Sequence, residues 1–267
     1  MLRRWGILLA MLTLTAGVTL AANSASAAIM GLRPGGLIHL AGASSNARGG
    51  IGHRTESTNW SGYAATTGTY TSVSASWTQP AGTCSRGHQY AAFWVGLDGY
   101  SNSTVEQTGS DVDCANRTAQ YYAWYEMYPG TSENYANRVR VGDHFHASVT
   151  YEGRNKFSLY IADTTQRWSH TTVQSLAGAA RSSAEVIVEA PCCTVRGGIL
   201  PLTDFGTVHI TGSMANGSAL GNAGAAQIIM IGNSGRDEVR VSSLSHGKNF
   251  SVTWLASNWA VSASAGR

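Results

Sequence analysis

The chain is short of charge. Only 12% of its 267 residues are Asp, Glu, Lys or Arg, and lysine occurs at Lys156 and Lys248 alone. Of 18 basic residues, Arg3, Arg4, Arg33, Arg48 and Arg54 precede Ser57, as does Glu56 among the 15 acidic ones, which leaves 13 basic against 14 acidic residues downstream. A domain this close to neutral lacks the stripe of Lys and Arg that phosphate binding needs, and this argues against a nucleic-acid partner. Few carboxylates also mean little ionised native-state stabilisation to lose in acid, so the composition permits acid tolerance.

Long apolar runs are missing after the amino-terminal segment. MLRRW, then GILLAMLTLTAGVTLAA, then NSASAA follow the order of a secretory signal, with cleavage expected after Ala27. The run is interrupted by Thr and Gly and is followed by an Ala-x-Ala site rather than a stop-transfer cluster, so an exported chain with no membrane partner after cleavage is expected. Residues 28–56 are rich in Gly, Ala, Ser and Arg, with too few large apolar residues for a core, and read as a flexible arm or pro-segment. Residues 57–267 read as one domain without an internal repeat.

Several chemical signatures are also absent. There is no C-x-x-C, no H-E-x-x-H, no G-x-S-x-G and no aspartic D-T-G or D-S-G triplet. His144 and His146 would share a strand face, but no nearby third ligand completes a metal grip. No metal and no cofactor is expected, and hydrolysis, if present, is left to carboxylate and amide groups. Cys84, Cys114, Cys192 and Cys193 allow three complete pairings; Cys84 with Cys114 is favoured, while Cys192 and Cys193 are either a vicinal bridge or reduced.

What is present is a rhythm of short strands. YTSVSASWTQP alternates Ser72, Ser74 and Ser76 with Val73, Ala75 and Trp77, and HASVTYEG, NKFSLYIAD, FGTVHITG, AAQIIMIG and NFSVTWLA continue the pattern between turns such as EGRN and ANGS. A dozen or more such strands without alternating helices predict an all-β sandwich of two large antiparallel sheets, with a concanavalin or lectin-like architecture.

In SAEVIVE, Val186 and Val188 point one way and Glu185, Ile187 and Glu189 the other. In STVEQTG, either Glu106 or Gln107 must face whatever the strand packs against. Tyr122, Trp124, Glu126 and Tyr128 share one side of YYAWYEMYP. With Trp60, Trp94 and Asp98 these make an aromatic, partly acidic concave surface. Taken singly, a strand Glu is a solvated residue and Asp98 a turn residue more often than a site residue.

WVGLDG, VEQTG, AWYEMYP and SAEVIVE, in this order, resemble the glutamic peptidases, the G1 or eqolisin family of secreted acid endopeptidases, from about Asn59 onward. The resemblance implies a β-sandwich, polypeptide substrates and a catalytic dyad of Gln107 and Glu189. It also implies that Trp60, Trp94, Asp98 and Glu126 line or support the cleft; Glu185, on the same strand face as Glu189, is left as a supporting or rim carboxylate. Tyr122 departs from the pattern, standing where fungal members carry an acidic residue. A monomer is the default for a secreted peptidase. Two rivals remain: a β-sandwich glycoside hydrolase using Glu185 and Glu189, disfavoured by Ile187 at the middle position, and a non-catalytic lectin-like module.

Overall fold

The computed structural model describes residues 54–192 and 198–257; Cys193, the signal segment and the arm up to residue 53 lie outside the described residues. The first eight strands are β1 (Arg54–Ser57), β2 (Trp60–Ala65), β3 (Ser72–Thr78), β4 (His88–Leu97), β5 (Val105–Ala115), β6 (Thr118–Tyr128), β7 (Glu133–Asn134) and β8 (His144–Gly153). They are followed by β9 (Lys156–Asp163), β10 (Trp168–Ser175), β11 (Ala184–Glu189), β12 (Thr207–Ala215), β13 (Ser218–Ala219), β14 (Ala226–Met230), β15 (Val239–Val241) and β16 (Phe250–Trp254).

These form two sheets. The first has the order β1-β14-β2-β11-β4-β5-β6-β7, and the second β10-β9-β8-β3-β12-β16-β15 with β13 beside β12. The expected sandwich is what the chain forms, and among the named strands β1 departs from antiparallel pairing by running parallel to β14 at the sheet edge. The sheet therefore already includes Thr55 and Glu56, inside the segment expected to be an arm.

Period-two patterning explains how the sheets meet. Val73, Ala75 and Trp77 of β3 turn inward, as do Phe93, Val95 and Leu97 of β4 and Val186 and Val188 of β11, joining Phe145, Leu159, Ile161 and Val252 in one core. On β3 the intervening serines are half-buried on the opposite side, as the alternation requires. The first sheet differs: β2 and β11 are buried along their whole length, so both faces of these strands are shielded from water.

Cys84 and Cys114 form a disulfide that ties the segment before β4 to the end of β5. Cys192 is also disulfide-bonded. Among the described residues, no helix is long and apolar enough to cross a membrane, and no group of His, Cys, Asp or Glu is arranged to hold a metal ion.

Candidate active site

The outer face of the first sheet is organised in rows that cross five strands, β2, β11, β4, β5 and β6. One row reads Ala64, Glu185, Gly96, Gln107, Glu126. The next reads Gly62, Ile187, Trp94, Gly109, Trp124, and the third Trp60, Glu189, Ala92, Asp111, Tyr122. Directly opposed residues share a face, so the register alone places both members of the expected dyad on one surface. It also resolves the choice on β5: Gln107 faces the site, while Glu106, opposite Leu97 and Met127, faces the other way.

Large rings lie on this surface because small residues lie beside them. A Cβ on Gly109 would fall 2.6 Å from the Trp94 Cβ and 2.3 Å from the Phe93 carbonyl oxygen, and one on Gly96 would fall 2.8 Å from Trp94 Cζ3. A Cβ on Gly99 would meet Trp60 Cη2 at 2.9 Å. The two indoles pack edge to face, with centroids 5.0 Å apart and planes at 75°.

Glu189 is buried and held at both oxygens. Trp94 Nε1 donates to Oε2 at 2.9 Å, and Asn59 Nδ2 donates to Oε1 at 3.2 Å. Asn59 is itself fixed by the Ser57 hydroxyl, which donates to Oδ1 at 3.1 Å and accepts from the Trp60 backbone amide at 3.0 Å. Gln107 has a different partner: its Nε2 donates to Glu126 Oε2 at 3.3 Å.

Gln107 and Glu189 thus share the face but not a row. With β4 between their strands, their Cα atoms are separated by roughly 10 Å across the sheet and roughly 13 Å along it. Trp94 fills that diagonal, its Nε1 ending on Glu189 and its Cζ3 reaching the Gly96 position, beside the Gln107 Cβ.

Beyond the dyad, Trp124 Nε1 donates to Asp111 Oδ1 at 2.6 Å, and the Tyr122 hydroxyl donates to Asp113 Oδ2. Burial pushes the Asp113 carboxyl up to about 8, with the Tyr122 hydrogen bond pulling the other way. Tyr122, at the position where fungal members are acidic, therefore still hydrogen-bonds a carboxyl.

Asp98 supports the cleft rather than lining it. It sits just past β4 at φ 69°, fully buried. Its Oδ1 accepts from Ser182 N at 2.8 Å and Asn102 Nδ2 at 2.7 Å, and its Oδ2 accepts from Arg181 N at 2.6 Å. This carboxylate pins two loops together. Glu185 occupies the site face but does not pair with Glu189, being two rows away on the far side of Ile187. Burial raises its carboxyl well above the usual range, and Asp98 and Glu106 add to the effect.

Asn59, Asp111 and Asp113 were not singled out by sequence reasoning. Counting by twos along β5 from Gln107 reaches Asp111 and Asp113. No such count reaches Asn59, which meets Glu189 across a separation of 130 residues.

Residues 58–254 match the Peptidase A4 family. The chain belongs to that family. Among individual members, Aspergillopepsin-2 of Aspergillus niger is 30% identical over 142 residues, covering 51% of this chain and 50% of that protein. The chain thus spans about half the length of that curated relative. Of solved structures, scytalido-glutamic peptidase bound to a transition-state analogue inhibitor superposes with a TM-score of 0.65 at 23% identity, covering 74% of this chain and 98% of that one. Aspergilloglutamic peptidase from Aspergillus niger gives 0.54 at 24% identity, covering 62% and 99%. These likenesses show a shared A4 sandwich. Family membership also sets aside the glycoside hydrolase and lectin-like readings.

Proposed function

We propose that this A4 family member is a secreted acid endopeptidase in which Glu189 activates water and Gln107 stabilises the oxyanion. The observation that carries the reading is the anchoring of Glu189. Hydrogen bonds from Trp94 and Asn59 aim a buried carboxylate across an indole toward a buried amide.

Glu189 takes a proton from a water lying between the two groups, and that water's oxygen bonds to the scissile carbonyl carbon. The carbonyl oxygen becomes an oxyanion and accepts a hydrogen bond from Gln107. An amide nitrogen carries two N–H groups, so one can remain on Glu126 while the other serves the oxyanion. The proton on Glu189 then passes to the leaving nitrogen as the C–N bond breaks, and the carboxylate is regenerated. A neutral amide partner avoids the like-charge conflict of two neighbouring carboxylates.

Maturation belongs to the same proposal. Gln107, Glu126 and Glu189 are all buried. The arm up to residue 53, carrying Arg33 and Arg48, has the charge to complement Glu126 and Glu189 at neutral pH and to let go as carboxyls protonate. The cut must fall before Arg54, because β1 holds the sheet edge and Ser57 positions Asn59.

The test is cleavage of denatured casein by the secreted protein across acidic pH with pepstatin present, beside a β-glucan control and the Glu189→Gln variant. The expected outcome is casein cleavage with an optimum below neutrality, none of β-glucan, and an inert variant with an intact fold. Near-normal turnover by Glu189→Gln, or an optimum above neutrality, would sink the reading.

A further inference from the structure

Two carboxyls have no role in the mechanism above. Glu106 and Glu185 are fully buried, and all four of their oxygens lack a hydrogen-bond partner. They approach the same end of β4 from its two faces: Glu106 opposite Leu97 on the core side, Glu185 opposite Gly96 on the cleft side. The Thr104 hydroxyl is buried and unpartnered as well, and the buried Ser183 hydroxyl meets no strict hydrogen-bond geometry but lies near enough to Glu185 to act on its carboxyl.

The charge around the pair is one-sided. From the end of β4 they meet Asp98, and from β2 and β6 they face the uncharged Ala64 and Met127. The segment before β11 contributes Ser183 and the amides of Arg181 and Ser182, which are committed to Asp98. The Arg181 guanidinium lies 4.0 Å over the ring of Tyr151 on β8. Among the described residues, no cation hydrogen-bonds either glutamate.

We propose that Glu106 and Glu185 are paired positioning residues that work as an acid lock: both are protonated in the working enzyme, and their ionisation ends activity on the alkaline side. The inference rests on the reading of Gln107 and Glu189 as the dyad. Glu106 immediately precedes Gln107 on β5, and Glu185 lies two pleats from Glu189 on β11. A buried ionised carboxylate offered no charged donor, and at most the Ser183 hydroxyl, has to admit water or swing outward. Either movement displaces a strand that carries one half of the dyad, and with both charged, Asp98 adds a third negative charge at the same strand end.

Burial, with Asp98 adding to it, holds the Glu106 carboxyl up at about 9, and Glu185 is raised well above the usual range by burial, with the Ser183 hydroxyl pulling the other way and Asp98 and Glu106 adding to the rise. The unfolded chain releases these protons above about pH 4.5, while the folded chain keeps them. Unfolding in that window therefore releases protons. Stability is fullest below about 4.5 and is lost as pH rises toward the folded value.

The experiment follows alkaline unfolding of the secreted protein in the Glu189→Gln background, which excludes self-digestion, with and without Glu106→Gln and Glu185→Gln. The alkaline midpoint of the triple variant should rise by about one pH unit or more, and unfolding just above neutrality should release about two protons more from the parent than from the triple variant, the Asp113 proton being common to both. In the active background, the two Gln substitutions should move the alkaline limb of casein cleavage upward and leave the acid limb in place. An unmoved midpoint overturns the lock. Should the triple variant not fold, Glu106→Gln alone decides it: its unfolding should release about one proton fewer than the parent's, and an unchanged release overturns the lock. Because unfolding is read without turnover, these outcomes stand apart from the dyad, which falls only if Glu189→Gln remains active.

Discussion

The two sheets of this sandwich share one core but make opposite use of their outer faces. On the second sheet that face is the polar half of a period-two pattern. Ser72, Ser74 and Ser76 on β3 lie beside Ser148 and Thr150 on β8 and Ser158 on β9, and the side chains of His144 and His146 reach Thr78 and Ser76. On the first sheet the corresponding face is shielded and carries Trp60, Trp94 and Trp124 among Gln107, Asp111, Glu126, Glu185 and Glu189. Hydroxyls on a wetted face satisfy themselves with water. On the shielded face two indole N–H groups, of Trp94 and Trp124, are matched to the carboxyls of Glu189 and Asp111, while Glu185 is not matched in this way.

That contrast can be broken at graded points. Removing the proposed oxyanion donor by Gln107→Ala should lower kcat by about a hundred- to a thousandfold with little change in melting temperature, as steady-state peptide cleavage would show. Trp94→Phe keeps a ring but removes the donor on Glu189 Oε2; a hydrogen bond to a charged group is worth ~1.5–3 kcal/mol, so a loss of ~10- to 100-fold in kcat/KM is expected. Gly109→Ala drives a methyl into the Phe93 carbonyl and the Trp94 Cβ, and should cost ~1–3 kcal/mol in urea unfolding. Ser148→Ala on the outer face of the second sheet should change stability by less than ~0.5 kcal/mol and leave cleavage intact. A large effect from Ser148→Ala would mean that the second face is not the inert one.

The same contrast explains what could be read from the sequence. On β3 one face is apolar and the other serine, so periodicity alone assigned Val73, Ala75 and Trp77 to the core, where they lie. On β5 both faces are buried and polar groups sit on each, so alternation separated Glu106 from Gln107 without saying which faced the core. Cross-strand register supplied the sign. Glu185 and Glu189 were correctly placed on one face, but their difference depends on partners from β4 and from the segment before β2. Asn59 stayed invisible for the same reason. Its role exists only once Ser57 has turned it toward a carboxylate far away in the chain. The parallel edge formed by β1 was equally hidden, since four residues of RTES carry no apolar pattern that marks a strand.

The hydrogen bond from Trp94 to Glu189 has an optical consequence. An indole's emission responds to charge placed against its ring nitrogen, and here that charge belongs to the proposed base itself. Subtracting the spectrum of Trp94→Phe would isolate this one fluorophore from the chain's 8 tryptophans. The difference signal, followed against pH, would titrate Glu189 in place, with no substrate and no turnover, and would report when the carboxylate gains its proton.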